Sequence, residues 1–199
     1  MPAYHSSYND EPTQLVGNVG LLPFNSRVRG PAPTPEDPSR PDIIEESLDL
    51  FRANCLFRNF EIQGPADRTL IYLILFTHDC LTRVAPSPGK PSPAYPEATK
   101  VLQTLAVDHF SVPGEAGFPL NSLYKGPSDK AQTDALRSYL LQARQELAAR
   151  LCDRIYPIEP ETQQDGTPTP AERQGQRVTK PSKWWMSFQK RKFMGRSLS

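Results

Sequence analysis

His78, Asp79 and Cys80 stand side by side, and a histidine, a carboxylate and a thiol are the parts of an activated nucleophile. Their spacing defeats that use. Consecutive residues on a helix point about 100° apart, so the three cannot converge on one substrate atom. Read as structure, His78 is a core histidine and Cys80 a buried thiol; a small hydrolase would require Cys80 to react with thiol reagents in the folded protein. His5 and His109 are far away along the chain, and no HExxH or CxxC motif gathers metal ligands. Glu45 and Glu46 sit where a helix would begin, as first-turn charges favoured by the macrodipole and not as an acid/base pair. Neither GxxxxGK[ST] nor GxGxxG is present to cradle a nucleotide. The expectation is a protein with no catalytic residues, no metal and no cofactor.

What remains with chemical character is the stretch from Pro181 to Ser199. Beyond Glu172 there is no acid, while Arg173, Arg177, Lys180, Lys183, Lys190, Arg191, Lys192 and Arg196 follow. The whole chain is net +1, so those eight bases leave the rest at −7. Such polarity suits contact with an acidic surface. Lys183, Lys190, Arg191, Lys192 and Arg196 are therefore the candidate partner interface. Read as a helix capped by Ser182, the stretch puts Trp184, Trp185 and Phe188 on one face and Lys183 and Lys190 on the other. Basic and aromatic interleaving also suits single-stranded nucleic acid or an anionic membrane interface. The reading carried forward is an amphipathic helix docked on its own domain, with the three aromatic rings as core anchors.

These residues need a body to stand on, and its centre is legible. From Leu70 to Phe76 every position is apolar, and a helix apolar all round must be buried all round. Thr77, His78 and Asp79 end the run too early for a membrane span. The series Leu70, Ile74, Thr77, Leu81 and Val84 keeps helical steps, Pro65 suits a first turn and Pro86 a stop. A helix over about 65–85 is predicted at the centre, with Leu70, Leu73 and Ile74 as core anchors. Asp42 to Phe60 reads as an amphipathic helix carrying Ile44, Leu48, Phe51 and Cys55, with Asp42 and Glu45 at capping-box spacing. Glu97 to Asp108 reads as a short helix. Ser128 to Ile155 is the longest, with Ser128 as N-cap, Leu136, Leu140, Ala143, Leu147 and Leu151 forming its stripe, and Arg137, Arg144 and Arg150 away from it.

The fold class expected is all-α, one domain of about five helices with one apolar helix surrounded by the others, plus an extended arm. Its parts are an arm over 1–41, a helical core over 42–156, a flexible polar linker over 157–180 and the basic, aromatic helix over 181–199. Most of the 22 prolines fall in the arm, in the loop 86–96 and beyond Pro157, where they space rather than pack. Cys55, Cys80 and Cys152 are odd in number and sit in helical patterns, which fits reduced thiols and a cytoplasmic setting. The start, MPAYHSSYNDEP, has neither a basic region nor an apolar run, so no secretory signal is expected.

Particular words of the sequence resemble a known family. MPAYHSS, GNVGLLP at 17–23, GPAP at 30–33, ADRTLIY at 66–72, PGEAGFPLN at 113–121, RLC at 150–152, KPSKWW at 180–185, then FM and SLS are similar, in order along the whole chain, to subunit 3 of the actin-related protein 2/3 complex. The loop 86–96 and the linker 157–179 look expanded against that pattern, where insertions cost little. The resemblance implies a small all-helical, non-catalytic subunit of a hetero-oligomer in the cytoplasmic actin cytoskeleton. It implies binding to actin-related protein 3 and support for filament nucleation, the active arrangement and the branch junction with an actin filament, with no nucleic acid and no membrane span. It supplies no catalytic residues. The alternative class is a basic-tailed adaptor for nucleic acid or an anionic membrane surface.

Overall fold

Asp42 opens the helical body, its carboxylate accepting the backbone N–H groups of Ile44 and Glu45 at the head of α1, Ile43–Asn54. The computed structural model describes residues 3–159 and 176–198. α2 is Pro65–Val84, α3 is Tyr95–Val107 and α4 is Lys130–Ile155. A fifth helix, α5, is the single turn Lys183–Met186, followed by a 3-10 turn at Phe193–Gly195. Among the described residues the only sheets are two-stranded: β1 Leu15–Val16 with β2 Val19–Gly20, and β3 Ile158–Glu159 with β4 Gln176–Arg177. The protein is thus mostly helical, as its sequence predicts.

α2 is the centre. Every residue from Thr69 to Leu81 is buried, and α1, α3, α4 and β2 all pack against it. Leu70, Leu73 and Ile74 have no exposed surface. The other helices bury one side each: Ile44, Leu48 and Phe51 from α1, Ala98, Leu102 and Leu105 from α3, and Leu136, Leu140, Leu147 and Leu151 from α4. α1 stops at Asn54, well short of Phe60, although Phe60 is itself buried after the chain has left the helix. α4 begins one residue later than the sequence suggests, because Asp129 and not Ser128 accepts the Gln132 N–H.

The arm lies across this body. Its hairpin pairs Leu15 with Gly20 and Val16 with Val19. Gly17 turns it at φ 63°, where a Cβ would lie 2.1 Å from the Lys125 carbonyl oxygen, so only glycine fits against that loop. Further on, Gln142 of α4 accepts from the Ala32 N–H and donates to the Val28 carbonyl, while Glu146 accepts from the Ser26 hydroxyl and the Arg27 N–H. The apolar residues of the arm, Val16, Val19, Leu22 and Phe24, join the common core.

One expectation fails on α4. Arg144 does not face water: it is 4% exposed. It donates to the Leu105 and Ala106 carbonyls at 2.6 and 3.0 Å and lies 4.2 Å over the rings of both Phe76 and Phe110. Those carbonyls are in the last turn of α3, where a helix leaves acceptors unpaired and its dipole favours a cation. A buried arginine is therefore satisfied without a carboxylate, and the helical wheel could not reveal it. Arg150 is also no surface residue. It grips both oxygens of Asp42 at 2.9 and 3.0 Å and Glu146 at 2.8 Å, and donates to the Asn25 carbonyl, so it joins α1, α4 and the arm. The polar linker is partly structured at its ends, since Ile158 pairs with Arg177; residues 160–175 lie outside the described residues.

Two outcomes follow from burial. Ile74→Ala removes packed atoms from the middle of α2 and lowers unfolding stability by about 2–5 kcal/mol, read from chemical denaturation. Stability also falls in alkali. Burial pushes the Cys55 thiol up to about 11 and the Tyr156 phenol to about 12, and raises Cys80, Cys152, Tyr124 and Tyr139. The folded state holds these protons more tightly than the unfolded chain does, so the stabilisation is complete below about pH 9 and is lost as pH rises from there toward the folded values. Thermal midpoints measured from pH 7 to 11 are expected to be level at first and then to decline.

Candidate interaction surface

The residues with nucleophile chemistry do not form a site. His78 Nδ1 is 3.9 Å from Asp79 Oδ1, neither ring nitrogen has a hydrogen-bond partner, and the Cys80 thiol is fully buried with its pKa raised by that burial. Glu45 and Glu46 diverge. Glu45 turns to Arg150 and Arg154 of α4, and Glu46 accepts from Ser6 and Ser7 of the arm. Among the described residues no group of three or more His, Cys, Asp and Glu side chains is placed to hold a metal, and no helix is long and apolar enough to cross a membrane.

The surface that stands out is built where the C-terminal segment returns to the end of α1. Ser182 N–H donates to the Ile155 carbonyl at 2.8 Å, which starts α5 against the end of α4. Trp185, 6% exposed, stacks on Phe51 of α1 with ring centroids 6.0 Å apart. Phe188 is buried beside it. Phe193 has no exposed surface and meets Phe60 edge to face at 5.8 Å, while the Met194 N–H donates to the Phe57 carbonyl at 3.1 Å. Met194 is at φ 52° and Gly195 at φ 67°. Two successive left-handed residues reverse the chain and point Phe193 inward, at a cost for methionine of about 1–2 kcal/mol.

Trp184 behaves differently from its neighbour: it is 47% exposed and is not a core anchor. The expected long amphipathic helix is absent. The regular α-helix ends at Met186 and the chain continues in turns, with the Phe188, Gln189 and Arg191 N–H groups bonding three residues back; adjacent side chains on a helical turn diverge by about 100°, so Trp184 stands out where Trp185 docks. It is not loose. Its ring meets Trp185 edge to face at 4.9 Å, and the Arg52 guanidinium lies 5.0 Å from the Trp184 ring and 5.2 Å from Phe188.

The end of α1, which carries Arg52, also has exposed apolar groups. Leu56 is more than half exposed just beyond α1, and Tyr4, equally exposed, is held there by its N–H to Asn54 Oδ1 and by Asn54 Nδ2 to its carbonyl. Lys183, Lys190, Arg191, Lys192 and Arg196 are all exposed, and none makes an ion pair among the described residues. An exposed tryptophan braced by an arginine, flanked by apolar side chains and rimmed with unpaired cations, has the composition of a protein-binding hot spot. Sequence reading missed Arg52, because only the returning chain brings it beside Trp184.

Comparison with known proteins supplies the context of this surface. Residues 1–198 match the family described as P21-Arc: ARP2/3 complex ARPC3 (21 kDa) subunit. The chain is 47% identical over 201 residues to "Actin-related protein 2/3 complex subunit 3" of Schizosaccharomyces pombe, covering 100% of both. It is 45% identical over 202 residues to the protein of the same name from Saccharomyces cerevisiae, again over 100% of both, and 37% identical to that of Arabidopsis thaliana over 96% of each.

The two tryptophans are expected to separate in a mutational test. Trp185→Ala empties a buried site and lowers stability by about 3–5 kcal/mol, whereas Trp184→Ala costs less than about 1 kcal/mol. Denaturation followed by circular dichroism reads both.

Proposed function

This chain belongs to the ARPC3 (21 kDa) subunit family of the ARP2/3 complex, and from that premise we propose that the Trp184 surface is how it joins its neighbours. The chain is a non-catalytic structural subunit of that complex, and actin nucleation in the cytoskeleton is the activity it serves. The finer reading is that it binds actin-related protein 3 through the C-terminal segment, and that this contact supports the active complex and the branch junction on the actin filament in the cytoplasm.

The observation that carries the reading is the exposed, arginine-braced Trp184 within an unpaired basic rim. A ring held in one orientation loses little freedom on binding, and burying it is worth far more than any rim charge. Lys190, Arg191 and Lys192 stand outside that centre. They steer an acidic partner in and set the salt dependence of association.

Reconstitution of the tagged chain with its sister subunits tests this. Trp184→Ala weakens incorporation by about 2 kcal/mol or more, as removal of a hot spot does. Reversing Lys190, Arg191 and Lys192 to Glu leaves the melting curve in place and slows assembly, with a defect that shrinks as salt shortens the Debye length below about 10 Å. Normal incorporation and normal branching by both variants would overturn the reading, as would salt-sensitive capture of RNA or anionic vesicles in place of actin-related subunits.

A further inference from the structure

A polar contact fastens the C-terminal segment to the buried helix α2. The Ser197 hydroxyl donates to Asp79 Oδ1 at 2.9 Å, and Asp79 is 6% exposed. His78 Nδ1 is 3.9 Å from the same oxygen, and the Tyr72 phenol and Cys80 thiol also feel the Asp79 charge; no lysine or arginine forms an ion pair with Asp79 among the described residues. Ser197 is itself half-buried, its neighbours Gly195 and Arg196 are exposed, and Arg191, Lys192 and Arg196 precede it.

We propose that Ser197 is a phosphoryl-acceptor site for a serine kinase that reads basic residues, and that its phosphate unseats the segment from Lys192 to Leu198. In the transfer, the bond between the terminal phosphorus of a nucleoside triphosphate and its bridging oxygen breaks as the bond from phosphorus to Ser197 Oγ forms. The hydroxyl proton passes to the kinase's base, and a nucleoside diphosphate leaves.

The geometry dictates the consequence. Phosphorylation removes the O–H that Asp79 accepts and puts about −1.5 to −2 of charge against a nearly buried carboxylate. Repulsion there is weakly screened, because water is largely excluded. The segment is poised to leave. Met194 is held in the left-handed region at φ 52°, a conformation that persists only while the surroundings enforce it, and Phe193 on Phe60, the Met194 N–H on Phe57 and Ser197 on Asp79 are among the contacts that do so. Arg191, Lys192 and Arg196 belong to the same stretch, so its release would move the basic rim that the proposed assembly surface uses. The modification itself stands on the Ser197–Asp79 contact and does not depend on that reading.

The test treats the full-length chain with a basic-directed serine kinase and magnesium ATP, locates phosphate by mass spectrometry, and follows amide hydrogen exchange over residues 192–198. Phosphate is expected on Ser197, with exchange of the segment accelerated about tenfold or more. In the Asp79→Asn variant, which keeps an acceptor but lacks the charge, phosphorylation accelerates exchange far less. Should that variant fail to fold, Ser197→Glu against Ser197→Gln on the native background compares charge at equal size, and only Glu is expected to accelerate exchange. No phosphate at Ser197, unchanged or slower exchange once it is there, or equal acceleration without the Asp79 charge would each overturn the proposal.

Discussion

A helix buried on every side has no water to satisfy its polar groups, and that constraint on α2 organises the molecule. Asp67 has no exposed surface, and its carboxylate accepts from the Ser6 and Gln63 backbone N–H groups at 2.9 Å and meets His5 Nδ1 at 2.8 Å. Thr69 donates to the Gly20 carbonyl at 2.6 Å, Tyr72 meets Arg144, and Asp79 accepts from Ser197. Four polar positions on α2 thus fasten different pieces of chain: the arm at Asp67, the hairpin at Thr69, α4 at Tyr72 and the C-terminal segment at Asp79, while Thr77 bonds back to its own helix at the Leu73 carbonyl. Leaving any of these groups unpaired in the interior would cost about 1–3 kcal/mol, so the irregular segments are specified as firmly as the helices.

Buried Arg144 and half-buried Arg150 extend the same logic outward. Arg144 uses spare carbonyls at the end of α3 and two aromatic faces in place of an anion, and so fixes α3 against α4. Arg150 ties the Asp42 cap to α4, and the carboxylate that begins α1 also accepts the Asn25 N–H of the arm. Arms with little regular structure are normally the least stable parts of a domain. Here their backbone N–H and carbonyl groups are consumed by side chains of the helical body.

The C-terminal segment divides labour over a few residues. Trp185, Phe188 and Phe193 face inward, and Trp184 with the basic residues faces out. The proposed docking role has this requirement: an element that presents a binding surface must be rigid enough to limit the entropy lost on docking, yet must leave its ring exposed. One turn of helix meets it, because adjacent side chains on a single turn cannot share a face.

The sequence by itself determined the buried helix, since the apolar run from Leu70 to Phe76, which alone would also suit a buried strand, continues at helical steps through Thr77, Leu81 and Val84, and it determined the amphipathic faces of α1, α3 and α4 through their period. Its family words and the basic excess after Glu172 were equally readable. The absence of a nucleophile arrangement was also legible, because neighbours in sequence diverge on a helix. Only the tertiary structure decided where Arg144 goes, because the carbonyls and rings that satisfy it come from α3, α2 and the loop after α3. It likewise decided that Trp184 is outside and Trp185 inside. A helical wheel assumes that one helix continues, whereas here α5 ends at Met186 and a succession of turns carries the chain to Phe193, which meets Phe60. Periodicity reports the local geometry that the backbone imposes; which polar side chain meets which distant backbone group depends on how the elements pack, and no pattern of neighbours encodes that.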